Sequence, residues 1–206
     1  MPLHFKSSEP RKPKVAKVPN RVRIIGGAWR SRVIEFGDAE GLRPTANRVR
    51  ETLFNWLGQT LHGKRCLDLF SGSGALGFEA ASRGAAEVVM LDLHRAAVDA
   101  LKTNQQKLAA TACRVVAVDA LKFIGGNDEK FDIVFVDPPF TSGLMATVLK
   151  KLPPILRDDG VVYAEWGVPI AELLANLPDS PWKIAKQGRA GAVHFALLRI
   201  PTVNPI

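Results

Sequence analysis

Asp68-Leu69-Phe70-Ser71-Gly72-Ser73-Gly74-Ala75-Leu76-Gly77 is the stretch that decides the fold of this chain. The apolar run at residues 66–70 reads as a strand, and residues 76–82 read as a helix closed by Arg83-Gly84. Gly72, Gly74 and Gly77 sit between them at G-x-G-x-x-G spacing, and Asp92 ends the next apolar run about 20 residues on. Glycines at these positions let the backbone approach a ligand closely, while an acid at the second strand end can hold ribose hydroxyls. The spacing therefore predicts a site for an adenosyl cofactor.

Outward from this loop, short apolar runs alternate with amphipathic ones. Strands are expected at residues 88–93, 114–118, 133–136 and 161–165, with a longer helix at 96–108 and further helices between. Near-continuous apolar strands separated by helices indicate an α/β fold with a parallel sheet covered on both faces. The end differs: residues 182–186 and 193–200 are separated only by residues 187–191, too few for a crossover helix. The sheet should finish in an antiparallel hairpin. Ahead of the loop, residues 21–27 and 32–36 read as two short strands around Gly26-Gly27, a small β appendage. Thr45 is a plausible helix N-cap. Val49, Leu53, Trp56, Leu57 and Leu61 then recur at helical spacing over about 15 residues.

Two features select the cofactor. Asp68 places a carboxylate just before the glycine turn, where the pyrophosphate of NAD would be repelled. A sulfonium amino acid carries positive charge and tolerates that acid. In Val118-Asp119-Ala120, after the third strand, the Asp119 carboxylate can accept from an adenine amino group, although such an Asp also serves as a helix cap. Together they favour S-adenosylmethionine.

Residues 131–136 run into Asp137-Pro138-Pro139-Phe140. Consecutive prolines cannot donate to a ladder, so the strand ends there with stiff geometry. The Asp137 carboxylate and the Pro138 carbonyl would form two acceptors for an amino group with two hydrogens. Such a group on a base is a poor nucleophile, because its lone pair is delocalised into the ring. Drawing both hydrogens to one side aims the lone pair at a methyl group, and Phe140 would stack on the base.

The 206 residues suit one α/β domain, and no apolar run reaches the roughly 18 to 20 residues that span a bilayer. Cys66 and Cys113 read as reduced core thiols of a cytoplasmic protein, and four scattered histidines argue against a metal site. The net charge of +8 is unevenly placed: residues 1–32 hold nine Lys/Arg and one acid, leaving 19 basic (28 − 9) and 19 acidic (20 − 1) residues from Val33 onward. A neutral body with a basic leading segment suggests a polyanionic partner. Three segments are expected: a disordered arm at 1–20, a β-hairpin extension at 21–41, and the cofactor-binding domain at 42–206.

In that order, the loop Asp68 to Gly74, Asp92, Asp119 and Asp137-Pro138-Pro139-Phe140 resemble the class I amino-methyltransferases, with their Rossmann-like sheet. Arg23-Ile24-Ile25-Gly26-Gly27, Leu42-Arg43-Pro44-Thr45 and Arg48-Val49-Arg50-Glu51-Thr52-Leu53-Phe54-Asn55 are similar to the bacterial 16S rRNA guanine-N2 methyltransferase family. The resemblance covers residues 21–200, and one departure is His94, where an acid is expected. It implies cofactor binding by Asp68, Ser71, Gly72, Gly74, Asp92, Asp119 and Ala120, and a guanine held by Asp137, Pro138 and Phe140. Arg43, Arg48 and Arg50, with Arg21, Arg23 and Arg30, become candidates for RNA phosphates. The implied partner is 16S rRNA within the small ribosomal subunit, met by a monomer with no membrane contact.

Other readings differ in what they require. A DNA adenine-N6 methyltransferase shares the four-residue motif but normally needs an added target-recognition domain, for which no segment beyond the sheet, apart from the basic arm, is long enough. A protein-glutamine methyltransferase would carry Asn at position 137. An NAD-linked oxidoreductase fits the glycines but not Asp68, and a non-catalytic RNA-binding assembly factor would not need Asp137.

Overall fold

The computed structural model describes residues 20–37, 47–139 and 143–201. Residues 1–19 of the expected disordered arm, Arg43, Thr45 and Phe140 lie outside them; Asn20, the last residue assigned to that arm, instead opens the first strand. Chain order runs β1 (Asn20–Arg23), β2 (Val33–Phe36), α1 (Asn47–Leu57), β3 (Arg65–Asp68), α2 (Ala75–Ser82), β4 (Glu87–Asp92) and α3 (Arg95–Leu108). It continues through β5 (Cys113–Ala117), α4 (Ala120–Gly125), β6 (Phe131–Val136), α5 (Leu144–Lys151), β7 (Leu156–Trp166), α6 (Ile170–Ala175), β8 (Lys183–Ala190) and β9 (Val193–Arg199).

Seven strands form one sheet in the order β5-β4-β3-β6-β7-β9-β8. Strands β5 to β7 are parallel, and β9 runs antiparallel to both β7 and β8. One buried cluster joins α1, α2 and α3 to one face, and a second joins α4, α5 and α6 to the other. This is the expected α/β sheet with an antiparallel end. The chain leaves β3 toward β4 and β5, then returns to build β6 on the other side of β3. Ligands bind where the strand order reverses in this way, outside the carboxyl ends of the strands. That crevice lies between β3 and β6.

Several boundaries differ from the sequence reading, among them β1, which stops at Arg23 rather than at Gly27, and β3, which stops at Asp68 rather than at Phe70. Helix α1 stops at Leu57, and Gly58 follows at φ +97°. Leu61 is buried all the same, because its N–H reaches the Arg83 carbonyl and ties the next loop to the end of α2. Strand β7 begins at Leu156, ahead of the apolar run. Strand β8 extends to Ala190, so Gln187 to Ala190 are strand and the hairpin turns at Gly191-Ala192. Gly188 is a packing position: a Cβ there would lie 2.6 Å from the Phe195 ring.

The small β1–β2 sheet is antiparallel and shares the core of the α1–α3 face through Val22, Ile24, Ile34 and Phe36. Its Gly26-Gly27 turn docks on the end of α2. Ala28 N–H donates to the Ser82 carbonyl at 2.7 Å, and Trp29 N–H to Ser82 Oγ at 2.9 Å. Gly27 takes φ +73°, and a Cβ there would lie 1.9 Å from the Ser82 oxygen, so no other residue fits.

Glu79, fully buried on α2, fixes the same junction. It accepts from Ile25 N–H at 2.9 Å, Arg83 Nε at 2.9 Å and Arg50 Nη1 at 3.3 Å. Arg50 also donates to the Arg23 carbonyl and to Asn47 Oδ1. The extension is thereby bolted to the helix that follows the glycine loop. No helix among the described residues is long and apolar enough to cross a membrane.

Candidate active site

Leu69 N–H donates to the Phe135 carbonyl and Ser71 N–H to the Leu91 carbonyl, so the glycine loop is pinned between β6 and β4. Gly74 N–H then closes the turn onto the Ser71 carbonyl. Gly74 takes φ +80°, and a Cβ there would strike Phe78 and Leu101 at 2.6 to 2.7 Å. At Gly77 it would meet Met90 at 2.8 Å, so this glycine sets the approach of α2 to β4.

Each acid on this side is held by main chain. Asp68 is buried and accepts from Gly77 N–H at 3.1 Å through Oδ2, while Ser71 Oγ donates to the Asp68 carbonyl. Burial pushes the Asp68 carboxyl up to about 7, against the opposing pull of the Gly77 hydrogen bond. Asp92 accepts from Gly72 N–H at 2.9 Å and from His94 N–H at 2.8 Å. The exposed His94 thus supports the carboxylate through its backbone. Asp119 is half-buried and caps α4, accepting from Lys122 N–H at 2.9 Å. Ala120 opens that helix and is buried.

Across the crevice, Asp68 is in register with Phe135, and Asp137 follows one step after the end of β6. Asp137 is half-buried, Pro138 buried and Pro139 exposed. Asp68 and Asp137 therefore stand at the ends of neighbouring strands, one on each side of the switch point. On β7, the strand next to β6 and one residue before its end, Glu165 is 6% exposed and accepts from Tyr163 Oη at 2.7 Å.

The predicted RNA-contacting residues do not form one set. Arg21 and Arg23 alternate with buried Val22, so both lie on the outer face of the small sheet. Arg21 pairs with Glu35 at 3.0 Å, and Arg23 Nη1 donates to the Ser31 carbonyl. Arg30 and Arg48 are exposed. Arg50, expected at RNA phosphates, is not available to them: it is fully buried, and its guanidinium bonds Glu79, Arg23 and Asn47. Burial lowers its pKa against the pull of Glu79, as expected of an interior ion pair rather than a phosphate ligand.

Sequence reasoning missed two groups. Glu79 is an acid within the apolar stretch Ala75-Leu76-Gly77-Phe78-Glu79-Ala80-Ala81, a pattern that signals a buried partner. Glu165 closes an apolar run in the sequence, but only the pairing of β6 with β7 gives it a place near the end of β6. Among the described residues, no group of three metal-ligating side chains occurs.

The donor set suits a cationic amino acid joined to an adenosine. Asp68 and Asp92 line the loop, and residues 66–77 contain no Lys or Arg to neutralise a pyrophosphate. A family model described as Conserved hypothetical protein 95 matches residues 22–199. Ribosomal RNA small subunit methyltransferase D of Escherichia coli strain K12 is 41% identical over 181 residues, covering 86% of this chain and 89% of that protein. The protein of the same name from Haemophilus influenzae is 37% identical over 193 residues, covering 89% and 98%. The solved structure of the Escherichia coli methyltransferase yhhF superposes with a TM-score of 0.78 at 38% identity, over 88% of this chain and 98% of that one.

Proposed function

The chain belongs to the Conserved hypothetical protein 95 family, and from that premise we propose that it methylates the exocyclic N2 of a guanine in 16S rRNA of the small ribosomal subunit, with S-adenosylmethionine as donor. One observation carries this reading. An acid-lined glycine loop without basic residues meets Asp137-Pro138 at adjacent strand ends of the switch point. A cationic donor and a hydrogen-rich amino acceptor are thereby given neighbouring, complementary seats.

When bound, S-adenosylmethionine supplies an electrophilic methyl group on a positive sulfur. Asp68 would face its charged amino-acid end, with Ser71, Gly72 and Gly74 shaping the loop around it. Asp92, oriented by the Gly72 and His94 N–H groups, holds the ribose hydroxyls. Asp119 keeps one oxygen on its helix cap and offers the other to the adenine amino group, next to Ala120.

Asp137 and the Pro138 carbonyl accept the two amino hydrogens of the guanine, and Phe140 stacks on its ring. Drawing both hydrogens to one side would aim the nitrogen lone pair at the methyl group that the cofactor would supply. Positive charge developing on the nitrogen is stabilised by the Asp137 carboxylate. The proton leaves the methylated amine afterwards, so no strong base is required. The guanine must leave its stack to reach this seat. Arg21, Arg23, Arg30, Arg43 and Arg48 add contacts to phosphates that position the RNA without reading its sequence.

Incubation with methyl-labelled S-adenosylmethionine and small ribosomal subunits from cells lacking the enzyme tests the reading. Label is expected in the 16S RNA. Label in protein only, or none, contradicts it.

A further inference from the structure

Glu165 is a buried carboxylate to which the chemistry above assigns no task. Val136 pairs with Ala164 in the parallel β6–β7 ladder, so the residues that follow, Asp137 and Glu165, leave neighbouring strands at the same level, and the Asp137 charge reaches the Tyr163 hydroxyl that bonds Glu165. Neighbouring strands lie about 4.8 Å apart. The alternation that turns Phe135 and Tyr163 to the α1–α3 face turns Glu165 to it as well.

The position is also held. The Tyr163 ring is fully buried between Phe135 and Phe195, at centroid distances of 6.4 Å from each, and its hydroxyl bonds Glu165 Oε2. No ion pair of Glu165 occurs among the described residues. A buried carboxylate held by a neutral phenol costs stability that an apolar side chain would not. Burial raises the Glu165 carboxyl, as expected for such a group. A carboxylate buried at this cost near the reacting position points to a functional role.

We propose that Glu165 is a specificity-determining residue, which accepts the ring N1–H beside the amino group that is methylated. The inference rests on the amino-group reading of Asp137. Guanine presents two adjacent donors on that edge, the C2 amino group and N1–H. Asp137 with the Pro138 carbonyl takes the first, and the Glu165 oxygen not used by Tyr163 takes the second. Adenine presents an unprotonated ring nitrogen beside its amino group, which would face the carboxylate lone pair to lone pair. The pair of acids therefore selects guanine and rejects adenine.

The test uses small subunits reconstituted with either guanine or 2-aminopurine at the methylated position. 2-Aminopurine keeps the C2 amino group but carries an acceptor at N1. The wild-type enzyme should prefer guanine in kcat/KM by roughly 10⁴- to 10⁵-fold, as sites built to hydrogen-bond a substrate N–H do. In Glu165→Gln the side-chain amide can serve either partner, and the preference should fall to within about tenfold. Comparing this ratio between enzymes cancels the different nucleophilicity of the two amines. Tyr163→Phe, which keeps the ring and loses only the hydroxyl, should narrow the preference severalfold with cofactor affinity unchanged. A preference unaltered in both variants overturns the proposal. Failure of the wild-type enzyme to methylate guanine subunits overturns the underlying reading, and the inference with it.

Discussion

Asp68, Asp92 and Asp119 each accept a hydrogen bond from a main-chain N–H, whereas Glu165, across the crevice, is held by the phenol of Tyr163. On the first side the backbone sets the carboxylates, so their positions come with the loop and the helix starts. On the second side Asp137 follows a strand end stopped by prolines, and its neighbour depends on side-chain packing. The donor half is thus fixed by local chain geometry, and the acceptor half by how three strands pack. Substitutions should divide accordingly. Acids of the glycine-loop side should govern cofactor affinity, and those beyond β6 the turnover and the choice of base.

The sharpest division is expected at Asp137. Asp137→Ala should lower kcat by about 10²- to 10³-fold, the scale of a lost transition-state contact. Calorimetry should find its cofactor affinity within about threefold of wild type. Asp92→Ala should do the converse, weakening cofactor binding by roughly 10- to 100-fold through loss of charge-assisted hydrogen bonds. Its kcat at saturating cofactor should stay close to wild type. If both variants lost affinity and turnover in equal measure, the two halves would not be separate devices.

Asp68 refines the comparison through pH. Its folded pKa of about 7 lies above the unfolded carboxylate value. The favourable contribution of the protonated form is therefore full below about pH 4 and is lost as pH rises through 7. A cation seated beside Asp68 favours the ionised form. Cofactor binding at pH 6.5 should release a proton, measurable by calorimetry in buffers of different ionisation enthalpy, and the release should vanish above about pH 8.5. Asp68→Asn should abolish it at every pH.

The smallest effect belongs to the outer face of the small sheet. Replacing Arg21 and Arg23 by Gln should reduce the slope of log affinity against log salt for small subunits by about 2, roughly one per phosphate contact. Cofactor affinity should not change. An unchanged slope would place the RNA elsewhere.

The division also explains what could be read from the chain alone. The glycine loop was legible because its requirements are local: Gly74 needs a positive φ, and Asp92 must follow at the end of the next strand. The end of β6 was legible because Pro138 and Pro139 stop a strand wherever they occur. Arg50 was misread, since a basic residue near a helix start is commonly exposed and only the tertiary approach of Glu79 buries it. Leu61 extended the helical pattern, although its burial comes from a loop packed on Arg83. Strand β8 lacks apolar alternation because it is an edge strand exposed along much of its length, so Gln187 to Ala190 read as a turn. Glu165 stayed hidden because its meaning depends on β6 and β7 lying side by side.

Mass spectrometry of the methylated nucleotide decides whether a guanine amino group is the acceptor. Small-subunit RNA treated with the enzyme and S-adenosylmethionine is digested to nucleosides, and the new methylated species is identified. N2-methylguanosine at a single position is the expected product. N6-methyladenosine, or a methyl group on a ring nitrogen or ribose, would contradict the amino-group seat formed by Asp137 and Pro138.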